Sequence, residues 1–534
     1  MRKRLRCLTA MTAAVMGAGM LLPLAACGGG DSDPLTIEFQ FYGSQEEMAA
    51  TRELVAEYNA TNPDGITVEA TGTATADYPT KIQNMLRGRN VSDVIMVKDE
   101  YIKSWVELGG IAALDEFVAE SDVISVENLW EGGVNRFRYN TQTRRDSEGS
   151  LYGILNDYST AVLYYNIDAM EQVGITCISV EREDCAAQGY PEEGFFEKDG
   201  TWYFNNRVPV TWNEEDGGAL LTLLGLLTSN TEAMDGYRNN NSPTRYGCYF
   251  ANWFPFGWSV GGDCLEWVED DSLSTGGSYE FTLFDDTKNY RVPEGETLTV
   301  GAVTYSAGEI VSYTDKALLT SEQKAALTEL PSQLEALQFY VDLSVKYGVG
   351  AKPDLTTGSS SNKVFAAGNC AVVMGHRNST GISRQIVEFD WDVAPLPVHE
   401  DGIETSFGMA NAFCITEKST KKEAAWKFIE YMCGQEGQEK YAATGFTLPN
   451  SPAIANSDAF LQSEQKPANS VVFVETAYYQ RSGDWAWLPS KMWVSEWSED
   501  LNNYVLAGDM SLEELKERRQ ESTQAIIDSY YAAT

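Results

Sequence analysis

The sequence predicts an α/β fold of at least two domains, on two observations. Segments of strand period and helix period alternate from residue 35 onward. The chain of 534 residues is also far too long for a single hydrophobic core.

The elements follow in order. Leu35-Thr36-Ile37-Glu38-Phe39-Gln40-Phe41 alternates at the strand period, and a helix follows with Met48, Val55 and Tyr58 on one face. Asn62-Pro63-Asp64-Gly65 is a turn, and Ile66-Thr67-Val68 a second strand. Tyr78, Ile82, Met85 and Leu86 recur at helical spacing, Gly88 ends that helix, and Val94-Ile95-Met96-Val97 is a third strand. This order points to a parallel sheet with covering helices. Right-handed crossovers put the loops after its strands on one edge, where such sheets bind ligands, so Tyr42-Gly43-Ser44-Gln45 and Lys98-Asp99 are candidate loops. Residues 176–210 and 268–318 are irregular and read as insertions, the second a β-hairpin of Leu298-Thr299-Val300 with Glu309–Tyr313. Helices return late, with capping boxes expected at Thr420/Glu423 and Ser511/Glu514.

The N-terminus carries Arg2, Lys3, Arg4 and Arg6, then an uncharged apolar stretch from Leu8 to Ala26, the layout of a secretory signal. Leu24-Ala25-Ala26-Cys27 matches a lipobox, so Cys27 is expected to be acylated and residues 1–26 removed. Residues 27–34, rich in Gly, Ser and Asp, read as a flexible tether. These features predict a lipid-anchored protein on the outer face of a bacterial membrane, with no membrane contact beyond the anchor.

The net charge is −39, near −43 once the four basic residues of the signal are gone, which argues against nucleic acid as a partner. Of nine cysteines, Cys7 leaves with the signal and Cys27 carries lipid. In an oxidising compartment Cys177 with Cys185, and Cys248 with Cys264, are the expected disulfides. Cys370, Cys414 and Cys433 remain, with at least one unpaired or all three buried and free. No CxxC occurs and only His376 and His399 are present, so no metal site and no cofactor are expected.

A series of segments then resembles one family in order. Asp77-Tyr78 through Leu86 to Ser92-Asp93-Val94 looks like a family helix followed by a "PDV" strand, and Leu108–Asp115 resembles "G-x-L-x-P-L-D". Tyr152-Gly153-Ile154 with Ser159–Asn166 is similar to a run that crosses between lobes. Val208–Glu214 looks like "P-x-T-W-D-E", and Gly261-Gly262-Asp263 like a "GGD" turn. Phe365–Met374 resembles "F-x-x-G-x-A-A-M" with Cys370 as a departure, followed by Asp392–Pro397 and Ala425–Ile429. The family is the extracellular solute-binding proteins of ABC importers, in the carbohydrate-binding branch.

The resemblance implies two α/β lobes joined by a hinge, with a ligand cleft between them. It places the first part of lobe 1 at 35–155 and lobe 2 at 156–370 with both insertions. It returns the chain to lobe 1 at 371–418 and packs a C-terminal helical part, 419–534, on lobe 2 and the hinge. It implies a monomer that captures an oligosaccharide and passes it to a membrane permease driven by a separate ATPase. This chain has no GxxxxGK[ST] loop. Two other readings stay open: a surface-anchored glycoside hydrolase, for which a pair of the 78 acidic residues would suffice, and the same fold binding a peptide, polyamine or phosphate ester.

Sugars present flat apolar faces ringed by hydroxyls, so a sugar site pairs aromatic platforms with carboxylates, amides and arginine. Trp253 and Trp258 match a region that supplies a stacking aromatic in relatives. Trp485 and Trp487 sit in a polar, aperiodic stretch. Trp493, four residues before Trp497, suits one helix face, either core or cleft. The polar candidates are Tyr42 and Gln45, Asp77, Asp99, Asp157 with Tyr158, and Arg377 with Asn378. For each the plainer alternative is a solvated loop group, and for Asp77 a helix cap.

Overall fold

The computed structural model describes residues 35–229, 244–356, 360–483 and 486–532; the signal stretch, Cys27 and Trp485 lie outside the described residues. Two sheets organise the chain. The strands are β1 (Thr36–Tyr42), β2 (Thr67–Thr73), β3 (Val94–Lys98), β4 (Ile154–Tyr158), β5 (Ala161–Asn166), β6 (Tyr246–Tyr249), β7 (Cys370–His376), β8 (Trp391–Ala394), β9 (Ala410–Ile415) and β10 (Leu448–Pro449). The first sheet runs β2-β1-β3-β9-β4-β10 and the second β6-β7-β5-β8.

The alternation of apolar residues fixes these pairings. Ile37, Phe39 and Phe41 are buried along β1, which pairs in parallel with β2 and β3. Helices α1 (Gln45–Thr61), α2 (Tyr78–Arg87) and α3 (Asp99–Glu107) cross back between or follow these strands, as a parallel arrangement requires. β9 lies between β3 and β4, antiparallel to both. In the second sheet β6 and β7 are parallel and β5 is antiparallel to β7 and β8. One apolar core covers the first sheet and continues onto one face of the second through Tyr164, Phe365 and Trp391. The other fills the opposite face, with Leu163, Tyr165, the helices Gly218–Leu227 and Gln333–Val345, and the C-terminal helices.

The chain passes between the sheets three times, and the passages pack together. The first is Ser159–Thr160; the second includes Ser406–Gly408, which pairs in parallel with Gln480–Ser482 of the third. Ser159 N–H donates to Met409 O at 2.8 Å, and Ser406 Oγ donates to Ala161 O at 2.8 Å. Gly408 must be glycine here, because a Cβ would lie 1.7 Å from Ser159 O.

Four expectations change. First, the return to lobe 1 falls at 405–410 and not at 371, because β7 and β8 pair in the second sheet. Residues 422–443 belong with lobe 1, where helix Lys422–Cys433 packs on β4 and β9 and helix Gln435–Ala443 on α1; lobe 2 is rejoined at about Leu488. Second, the cysteines among the described residues are thiols. Cys185 turns into a small separate core with Val180 and Val208, while Cys177 packs against the main lobe-2 core. Cys248 lies within β6 and Cys264 beyond the helix Phe254–Ser259, which carries the chain away between them. Cys370, Cys414 and Cys433 are buried and free. Third, Leu298–Val300 pairs with Val303–Tyr305 as a tight hairpin, and Ile310 only bridges to Arg291. Fourth, the helix expected to be capped at Thr420 starts at Lys422 without a side-chain cap, whereas Ser511 and Glu514 do exchange hydrogen bonds. Among the described residues no helix is long and apolar enough to cross a membrane.

Candidate functional site

The carboxyl ends of β1 and β3 deliver Tyr42 and Lys98 to one edge of the first sheet, where a cavity of about 210 Å³ opens. Its wall continues with Glu47 of α1, Glu100 and Tyr101 of α3, Ser159 and Met409 at the passages between lobes, and Asn378 just beyond β7 in lobe 2. Asp157, Asn411, Tyr78 and Tyr441 complete it. The tyrosines are held from below: the Tyr78 hydroxyl donates to Gln40 O at 2.8 Å or Met96 O at 2.9 Å, and its ring lies 4.9 Å from that of Tyr42. Tyr101 stacks on Trp105 at 5.4 Å, with the Lys491 ammonium 4.7 Å from its ring.

The polar groups are unequal in charge. Burial pushes the Asp157 carboxyl up to about 7, with Glu47 and Asp99 adding repulsion, against the downward pull of the Asn411 and Asn156 amides. Burial, then the Asp157 charge, raises Tyr42 well above the phenol range. Burial works to raise Glu100, but Lys98 at 3.5 Å and Lys491 at 2.8 Å outweigh it and hold the carboxyl below its usual value. Beside the cavity, burial holds His376 at about 4, so it is a neutral imidazole 3.0 Å from Ser159 Oγ. The cavity thus combines tyrosine side chains with acceptors and donors on short, fixed supports, which suits a polyhydroxylated ligand.

Among the sequence candidates, Tyr42 lines this cavity, as do Asp157 and Asn378. Gln45 is the exposed first residue of α1, whose cap is Ser44 in a capping box with Glu47. Asp77 is exposed at the start of α2 and caps nothing with its side chain. Asp99 is buried and bonded to Arg136 at 2.9 Å. Tyr158 is buried beneath Arg136, 5.2 Å from ring to guanidinium. Arg377 is buried, donating to Gly445 O, Ser470 Oγ and Phe460 O between the rings of Phe460 and Phe473.

The tryptophans also turn inward. Trp253 and Trp258 are core residues, Trp258 stacked on Phe254 at 4.8 Å. Trp493 is buried against Trp497 at 6.3 Å. Trp487 is half-buried with its ring edge-on to Tyr279 at 6.1 Å, and its carbonyl accepts from Lys103. The aromatic residues that line the cavity are instead tyrosines: Tyr42, Tyr78, Tyr101 and Tyr441. Asn411 was missed, although a lone amide in the apolar run Ala410-Asn411-Ala412-Phe413 is a visible signal. Glu100 and Tyr101 sit one and two positions beyond the loop that was singled out.

Two sheets joined by three adjacent passages, with a cavity of mixed polar and aromatic lining at the strand ends beside them, define a two-lobed binding protein. Models of bacterial extracellular solute-binding proteins match residues 42–215 and 273–468, and the chain belongs to that family. No curated protein matches the sequence. Among solved structures, an ABC substrate-binding protein from Listeria monocytogenes in complex with cycloalternan is 18% identical, with a TM-score of 0.62 over 93% of this chain and 100% of that one. A cyclic α-maltosyl-1,6-maltose binding protein from Arthrobacter globiformis is 14% identical, with a TM-score of 0.61 and the same coverage. The sugar-binding protein MalE from Xanthomonas citri is 17% identical, with a TM-score of 0.57 over 92% of this chain and 98% of that one.

Proposed function

We propose that this chain is a lipid-anchored extracellular binding protein that captures an oligosaccharide between its lobes and delivers it to an ABC permease, without turning it over. The observation that carries this reading is the cavity beside the lobe passages, where Tyr42, Tyr78 and Tyr101 lie among Asp157, Asn411, Glu47 and Lys98. Tyrosine side chains next to fixed donors and acceptors match the apolar and hydroxyl-bearing parts of a sugar. Fold neighbours whose structures hold cycloalternan, or that are named for cyclic maltosyl-maltose, point to the same ligand class. Cys27 is the proposed acylation site, and the cationic N-terminus with its apolar stretch supplies the export signal.

The test is isothermal calorimetry against linear and cyclic α-glucooligosaccharides, with product analysis after prolonged incubation. Micromolar binding with unchanged oligosaccharide supports the reading. Hydrolysis products would move the protein to the glycosidases, and binding of peptides alone would replace the ligand class. For the anchor, Cys27→Ser should release the protein into the medium; retention at the membrane would overturn that part.

A further inference from the structure

The cavity wall contains a chain of hydrogen bonds whose direction is set at its buried end. Asp157 is almost fully buried, and one carboxylate oxygen accepts from Asn411 Nδ2 while the other accepts from Asn156 Nδ2, each at 2.8 Å. A carboxylate only accepts, so both amides must turn their nitrogen towards it. Asn411 then has only its oxygen to offer on the other side, and the Tyr42 hydroxyl donates to that oxygen. While Asp157 is charged, the Tyr42 oxygen therefore faces the cavity with a lone pair free and its proton committed inward.

Protonating Asp157 leaves one acceptor and one donor where there were two acceptors, so one amide must turn. Asn156 is locked. Its oxygen accepts from Gln438 Nε2 at 3.3 Å, and that amide is itself fixed because its oxygen accepts from the Asn450 N–H at 3.0 Å while Nε2 also reaches Met432 O at 3.1 Å. Asn411 has no such brace: among the described residues its side chain is held by Asp157 and Tyr42 alone. The proton thus settles on the oxygen facing Asn411, the Asn411 amide turns, and its nitrogen points at Tyr42. Tyr42 becomes the acceptor on that side and has its O–H to give to the cavity.

We propose that Asp157, Asn411 and Tyr42 form a polarity relay, in which the charge of Asp157 decides whether the Tyr42 hydroxyl accepts from or donates to the bound ligand. The relay rests on the binding-site reading above and adds a pH-dependent specificity to it. The groups acting on Asp157 come from several packed elements: Glu47 of α1, Asp99 of α3, Tyr42 of β1, Tyr441 of helix Gln435–Ala443 and the Cys433 thiol. Burial and the two carboxylates favour the neutral acid and the amides favour the anion, which brings the exchange to about 7.

Asp157→Asn separates the relay from ordinary charge effects. Its oxygen must face the locked Asn156 nitrogen, so its own nitrogen faces Asn411, which turns and makes Tyr42 an acceptor at every pH. With maltotriose and cycloalternan as probes, we expect the wild-type affinity of at least one to change about fivefold between pH 5.5 and 8.5, the worth of one hydrogen bond. Asp157→Asn should hold the wild-type low-pH value throughout, and Tyr42→Phe should show no pH dependence. Persistence of the wild-type profile in either variant would overturn the relay.

A ligand-free measurement keeps this distinct from the sugar assignment. In full-length protein labelled with [¹⁵N]asparagine, the Asn411 side-chain amide should titrate near pH 7 in wild type and not in Asp157→Asn. If neither probe binds at any pH, the carbohydrate reading fails and the Asn411 titration decides the relay alone. An Asn411 amide that does not respond to pH overturns it.

Discussion

Asp99 and Arg136 meet at 2.9 Å behind the lobe passages, both buried, and between them they hold the second and third passages. Arg136 donates to Gly408 O at 2.9 Å and to Gln480 Oε1, while Asp99 also accepts from the Ala410 N–H at 3.1 Å. Removing one partner leaves the other charge buried and unpaired, a cost of about 3–5 kcal/mol. We therefore expect Arg136→Ala to destabilise by that order in urea titration and to weaken ligand binding, since the passages would lose their common support. Double replacement by Asp99→Asn with Arg136→Met should recover much of the stability.

The passages also set a steric limit. Ser159 O, a backbone atom, lies only 1.7 Å from where a Gly408 Cβ would stand and can yield only by separating the crossing strands, and the Gln480 side chain, with Nε2 at 2.2 Å, would have to leave as well. Gly408→Ala should lower Tm by several degrees and alter the open–closed distribution. Small-angle scattering with and without ligand reads this directly: a radius of gyration that responds to ligand as in wild type would show that the passages absorb the methyl group.

Much of the first sheet was legible because its signal is local. The alternation of Ile37, Phe39 and Phe41, the period of Tyr78, Ile82 and Leu86, and the Gly88 stop all act within a few residues. The edge carrying Tyr42 and Lys98 followed from the crossover rule. What was not legible depends on contacts remote in sequence. Arg377 looks like a cleft residue in its own segment, yet its partners lie 68 to 93 residues away. Trp258 and Trp493 are chemically suited to stacking on sugar, and only the packing of Phe254 and the C-terminal helix shows them to be core. The paired spacing of Cys177 with Cys185 and of Cys248 with Cys264 carried no information about which core each thiol enters.

Burial of Asp157 should make stability depend on pH. Its carboxyl is raised from 3.8 to about 7, so the folded state binds the proton more tightly than the unfolded one. Its stabilising contribution is complete below pH 4 and is lost as pH rises through 7, worth about 4 kcal/mol in all. Glu266, raised to about 7 by burial and then by Asp263, adds a change of the same sign. We expect Asp157→Asn to be more stable than wild type at pH 8 and nearly equal to it at pH 4.5, measured by urea unfolding at both values. An equal difference at the two pH values would show that the carboxyl titrates normally.

The tryptophans allow core and cleft roles to be separated by experiment. Trp258 is fully buried, stacked on Phe254, with the Arg481 guanidinium 5.1 Å from its ring; Trp493 is buried among Phe281 and Trp497. Neither lines the cavity of Tyr42. A phenylalanine keeps most of the apolar contact but leaves part of the indole volume empty, so each Trp→Phe variant should cost about 1–3 kcal/mol of stability. Ligand affinity, measured by calorimetry well below the lowered Tm, should stay within about twofold of wild type, since no contact made in the cavity is lost. A residue that stacks on a sugar behaves in the opposite way: its truncation spares Tm and costs an order of magnitude or more in Kd. Finding that pattern at Trp258 would mean that the bound ligand reaches past the tyrosines into lobe 2, and that the cavity beside Tyr42 is only part of the site.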